Sequence, residues 1–167
     1  MGPVSVTKAI DAPRERVFDY VCDLANRPSF TDHFLRDYRL ERFESAGVGA
    51  AARMRVRRPR LWMETGIVEA ARPYRIMERG KGGRLDRIAI RTGWEIVEGP
   101  SPATSQVTLL FGTDPTHPVD RIRELRWGER FYRRQWSTAL SRLKDVLESG
   151  RQGDRVVIAG GARLPVT

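Results

Sequence analysis

The last third of the chain constrains the fold most. Ile122, Leu125, Gly128, Tyr132, Trp136, Leu140, Leu143 and Leu147 recur at steps of three or four, the spacing of one helix face. This is the strongest periodicity in the sequence, and it predicts an amphipathic helix from Asp120 to Glu148. Trp127 and Phe131 widen its apolar arc in the N-terminal half. Arg123, Arg126, Arg130, Arg133, Arg134 and Lys144 supply the polar face. A one-sided helix must bury its stripe against another element.

What precedes it reads as a sheet. Val4, Val6 and Ile10 share one face of a first strand, Val4 to Ile10. Asp11-Ala12-Pro13 then opens a helix carrying Val17, Phe18, Val21 and Leu24, which Asn26-Arg27-Pro28 ends, because the residue before proline avoids the α region. A shorter helix is expected over Phe30 to Leu35, then a strand from Arg39 to Glu44. Ala50, Ala52, Met54 and Val56 alternate with Ala51, Arg53, Arg55 and Arg57, which marks a half-buried antiparallel strand. Further strands are expected over Leu61 to Ala70 and Tyr74 to Arg79. Gly80-Lys81-Gly82-Gly83 is expected as a hairpin turn. Ile88, Ile90, Thr92, Trp94 and Ile96 share one face of the next strand, and Val107, Leu109 and Phe111 one face of the last. The predicted class is α+β.

Composition narrows the role. At 167 residues and 40% hydrophobic, the chain has apolar material for one core. No apolar run reaches the roughly 20 residues of a membrane helix. The first eight residues lack an apolar h-region, so no secretory signal is expected. Cys22 is the one cysteine, read as a buried structural thiol, and a cytoplasmic location fits it. The net charge of +9 is carried almost wholly by arginine, with lysine only at positions 8, 81 and 144. The densest cluster, Arg53, Arg55, Arg57, Arg58 and Arg60, reads as a solvated strand face, and a nucleic-acid role is disfavoured. His33 and His117 belong to no close ligand cluster such as H-E-x-x-H, so no metal and no cofactor are expected.

Several local sequences together carry a resemblance. Ile10-Asp11-Ala12-Pro13 followed by Val17-Phe18 and Asp23-Leu24 looks like the opening of the START/Bet v 1-like (SRPBCC) superfamily, in its polyketide cyclase/dehydrase and lipid-transport branch. Asn26-Arg27-Pro28-Ser29-Phe30, Glu69-Ala70-Ala71-Arg72-Pro73-Tyr74, Trp94-Glu95-Ile96, Thr104-Ser105-Gln106-Val107-Thr108 and Ala139-Leu140-Ser141-Arg142-Leu143-Lys144 resemble later landmarks in the same order. The resemblance covers about residues 3–148. It implies a helix-grip fold: a curved seven-stranded antiparallel sheet around a long C-terminal helix, with two short helices after the first strand. The expected organisation is one domain over residues 1–148 and a tail over 149–167. Arg155 to Ala159 in that tail could add a short strand.

The resemblance further implies a cavity between sheet and helix. The strands would line it with Met54, Val56, Ile88, Ile90, Thr92, Trp94, Leu109 and Phe111, and the helix with Leu125, Gly128, Tyr132 and Trp136. Gly128 would leave room against the sheet. Tyr132, Glu64, Thr92 and Tyr38 are the polar groups that could orient a ligand. The face of Glu64 is open: Trp62, Gly66 and Val68 share it, while Leu61, Met63 and Ile67 share the other. An inward Glu64 could act as an acid or base beside Tyr132. Three readings follow. The first is a monomeric or homodimeric carrier of an apolar small molecule such as a lipid, polyketide or aromatic metabolite. The second is a polyketide cyclase/aromatase-type enzyme. The third is an interaction module with a basic surface.

Overall fold

The computed structural model describes residues 3–58, 60–123 and 128–150, together with the backbone of 155–156 and 163–164. The elements run β1 (Val4–Ile10), α1 (Arg14–Cys22), a 3-10 turn (Leu24–Asn26), α2 (Pro28–Thr31), β2 (Leu35–Leu40), β3 (Ala51–Val56), β4 (Leu61–Ala71), β5 (Arg75–Gly82), β6 (Ile88–Glu98), β7 (Ser105–Pro115), α3 (Pro118–Arg123) and α4 (Glu129–Ser149). Seven antiparallel strands form one sheet in the order β1-β7-β6-β5-β4-β3-β2. Every neighbour except β1–β7 is joined to the next strand in sequence. The first strand closes onto the last, so the chain's two halves share one core. In the tail, Arg155–Val156 (β8) pairs with Arg163–Leu164 (β9).

α4 lies along β1 and against α2. Tyr132, Trp136, Ala139, Leu140, Leu143 and Leu147 form its buried stripe. Gly150, at φ +67°, ends it in the left-handed conformation that glycine adopts without a Cβ clash. Glu148 reaches back to accept the Asp11 N–H at 2.7 Å, which pins the C-terminal end of α4 beside the end of β1.

Four expectations are corrected. The short helix after Pro28 is Pro28–Thr31, not Phe30–Leu35, and the strand that follows is Leu35–Leu40 instead of Arg39–Glu44. A register shift between Arg36 and Arg39, with Asp37 at φ +53°, is the cause. The bulge turns Leu35, Tyr38 and Leu40 all inward, and the spacing of three between the first two imitates a helix. Gly80-Lys81-Gly82 is no turn, because β5 continues through it. A Cβ at Gly80 would lie 1.8 Å from the Glu64 carbonyl oxygen, so the glycine permits close strand approach. The chain reverses instead at Gly83 and a 3-10 turn over Arg84–Asp86. Finally, Ile122 does not join the buried stripe: it is 58% exposed. It belongs to the short α3, which sits on the end of β7 with Arg121 Nε donating to the Pro115 carbonyl at 3.1 Å. Leu125 and Trp127, expected on the same helix, lie outside the described residues.

Candidate functional site

The inner face of the sheet collects large apolar side chains because alternation sends every second residue inward. Met54, Val56, Ile88, Ile90, Trp94, Leu109 and Phe111 are all buried there, with Thr92 among them. Gly128, Tyr132 and Trp136 are buried from the helix side. The rings form a connected cluster. Trp136 stands edge-on to Trp94 at 6.1 Å and to Phe34 at 5.2 Å, and lies 5.5 Å from Phe111. Phe111 continues to Tyr132 at 4.6 Å, and Tyr132 to Phe131 at 5.2 Å. Edge-to-face pairs of this kind contribute about 0.5–1.5 kcal/mol each beyond their burial. The Trp136 indole N–H has no hydrogen-bond partner among the described residues.

Polar groups concentrate in two places. The first is deep. Glu78 on β5 is 1% exposed. Its Oε1 accepts from Arg27 Nη2 at 2.6 Å and from Trp94 Nε1 at 2.8 Å, while its Oε2 accepts from Thr65 Oγ1 at 3.0 Å. Arg27 precedes α2, and its guanidinium lies over the Trp94 ring at 5.1 Å. Burial works against the Arg27 charge. The charge and hydrogen bond of Glu78 outweigh that penalty, and the guanidinium is held in its protonated form. Nearby, the Tyr38 hydroxyl donates to the Leu24 carbonyl at 2.8 Å. Burial pushes its pKa well above the ordinary tyrosine value, which favours the protonated phenol.

The second place is an opening. His33, Phe34, Arg57, Arg58, Phe131 and Gln135 line a cavity of about 320 Å³ where α2 and the end of β3 face the N-terminal half of α4. Its floor joins the aromatic cluster through Phe34. Hydrogen bonds latch this rim. His33 Nε2 donates to the Gln135 carbonyl at 3.2 Å, and His33 Nδ1 accepts from Arg142 Nη1 at 3.1 Å. Arg142 also bonds Asp32. A carbonyl on one nitrogen and a guanidinium on the other require a neutral imidazole protonated at Nε2. Burial first, and the Arg142 charge with it, hold His33 below its ordinary pKa, against the raising effect of the Gln135 carbonyl.

Glu64 faces outward. It shares the outer face of β4 with Trp62 and Val68, while Met63, Thr65 and Ile67 point in. The inward carboxylate is Glu78, which the sequence reading missed. Its signal was an acid in phase with Ile76 on an alternating strand. Cys22 is buried, and desolvation pushes its thiol pKa up. Among the described residues no His, Cys, Asp or Glu group could hold a metal ion, and no helix is long and apolar enough to cross a membrane.

A family model described as polyketide cyclase/dehydrase and lipid transport matches residues 1–148. The chain belongs to that family. Solved structures agree at the level of the fold. A START superfamily protein from Mycobacterium smegmatis is 16% identical, covering 90% of this chain and 100% of its own, with a TM-score of 0.65. Protein TTHA0849 from Thermus thermophilus is 14% identical over 89% of this chain and 98% of its own, with a TM-score of 0.67. Protein CV1439 from Chromobacterium violaceum is 13% identical over 89% and 99%, with a TM-score of 0.62. No curated protein matches the sequence. Membership in the family makes this a ligand-binding fold.

Proposed function

We propose that this member of the family binds and carries an apolar small molecule, taken in through the opening beside α4. One observation carries the reading. The cavity between His33, Phe34 and Phe131 abuts the aromatic cluster, where the buried Trp136 N–H has no partner among the described residues. An apolar body suits those ring faces, and a single acceptor on it would satisfy the indole.

Cyclase-type chemistry finds less support. It needs a group free to move a proton at a bound methylene. Among the described residues Glu78 is the one buried carboxylate, and it already accepts three hydrogen bonds. Glu64 lies on the far side of the sheet.

The purified protein should yield a small molecule by native mass spectrometry and organic extraction, or else take up an apolar fluorescent probe saturably at one per chain. Gly128→Trp and Phe131→Arg should each lower probe affinity about tenfold or more, with the far-ultraviolet circular dichroism unchanged. A protein that carries nothing and takes up no probe refutes the proposal.

A further inference from the structure

β3 and the turn after it carry an unusual charge arrangement. Arg36 on β2 sits directly opposite Arg55 on β3, and Arg39 opposite Arg53. Like charges directly opposed across strands destabilise a sheet. Arg53 and Arg55 are accommodated over the face of Trp62, at 5.1 and 5.9 Å, and Arg55 pairs with Asp37 at 3.4 Å. Arg36, Arg57, Arg58 and Arg60 have no such relief: among the described residues none of them has an ion pair. These side chains do not splay into solvent separately. Arg36, Arg55, Arg57, Arg58 and Arg60 line one cleft of about 240 Å³. Arg57 and Arg58 also line the opening described above. The Arg57 N–H donates to the Phe34 carbonyl at 2.8 Å, which fixes the cleft to the floor of the opening.

We infer that the arginine cleft holds a phosphate monoester at the polar end of the molecule whose apolar end enters beside α4. This rests on the carrier reading and names its ligand class, an amphiphile with a phosphate head. Guanidinium forks match phosphate oxygens in paired hydrogen bonds. A monoester carries about −1.5 to −2 charge and three acceptor oxygens, so one head group can engage several arginines that a carboxylate would leave unmatched.

Calorimetry with dodecyl phosphate below its micelle concentration, dodecanol and inorganic phosphate tests the two ends separately. Dodecyl phosphate should bind about tenfold or more tightly than dodecanol, and also more tightly than inorganic phosphate. The triple variant Arg36→Gln, Arg57→Gln, Arg58→Gln should erase the advantage of dodecyl phosphate over dodecanol, both measured on that variant. Arg79→Gln, Arg84→Gln, Arg91→Gln removes as many charges elsewhere and should keep the advantage. Equal affinity for dodecyl phosphate and dodecanol overturns this inference and leaves the carrier reading standing. Dodecyl phosphate no tighter than inorganic phosphate, with dodecanol unbound, sinks the carrier reading and the shared ligand with it. An advantage that survives the first triple variant, or is lost in the second, shows the cleft is not the site. A short single-stranded RNA that outcompetes dodecyl phosphate overturns the inference in favour of a macromolecular polyanion.

Discussion

Arg27 and the Arg36, Arg57, Arg58 group show the same side chain in opposite settings. Arg27 is 3% exposed and sealed onto Glu78, with Trp94 and Thr65 completing the carboxylate's bonds. The rim arginines are exposed, and among the described residues none of the three pairs with a carboxylate. In the interior an unmatched charge is too costly to persist, so the fold supplies its partner from a strand 51 positions away in sequence. At the rim, water makes unmatched charge tolerable, so the groups are left available. The interior polar cluster is therefore a structural device, and on the proposed carrier reading the rim is where a ligand would compete.

The largest effect should come from breaking the interior pair. Glu78→Ala strands the Arg27 charge and should cost about 3–5 kcal/mol of unfolding free energy. The apolar double replacement Arg27→Met with Glu78→Leu should recover most of that loss, because the penalty lies in the unmatched charge. Urea denaturation of the three proteins measures both. A double variant as unstable as Glu78→Ala would mean that the pair does more than neutralise itself. By contrast, Arg57→Gln or Arg58→Gln should change stability by less than about 0.5 kcal/mol.

The next contrast lies between two tryptophans in contact. Trp94→Phe and Trp136→Phe remove similar volume from one cluster. Among the described residues, only the Trp94 indole of the two donates to a protein group, Glu78. Its loss should cost about 1–3 kcal/mol more than the loss of the Trp136 indole. Trp136→Phe should instead weaken binding of a ligand that offers an acceptor. Equal destabilisation by the two would place the Trp136 N–H in a bond that the structure does not show.

These contrasts also mark where sequence reading ends. The inner faces of β3, β6 and β7 were legible, because Met54, Val56, Trp94, Leu109 and Phe111 keep strict alternation. β2 was not, because the bulge at Asp37 breaks the alternation and gives Leu35 and Tyr38 a helical spacing. Gly80 looked like a turn residue, since a need for close strand approach and a need for a positive φ both select glycine. Arg27 lies in the Asn26–Phe30 segment that resembles a family landmark, yet its partner Glu78 is too distant for any local spacing to connect them. The arginine cleft was visible only as a run of charge. That Arg36 joins it from another strand follows from the β2–β3 register.

The smallest expected effect sits between the two settings. His33 is a rim residue whose two nitrogens are both engaged, by Gln135 and Arg142. Burial, reinforced by the Arg142 charge, lowers its pKa from the ordinary 6.5. The native state therefore binds fewer protons than the unfolded chain in the window just below that value. Stability must then rise with pH across the window, and fall as pH drops from 6.5 toward the folded pKa. His33→Gln can still donate to the Gln135 carbonyl but cannot titrate, so it should remove this part of the slope. Urea midpoints of both proteins from about pH 7.5 to about pH 5 isolate the contribution as a difference. Parallel curves would mean that His33 protonates freely in the folded protein. The rim latch would then be as open to water as the arginines beside it, and the boundary between the two settings would lie deeper, at Phe34.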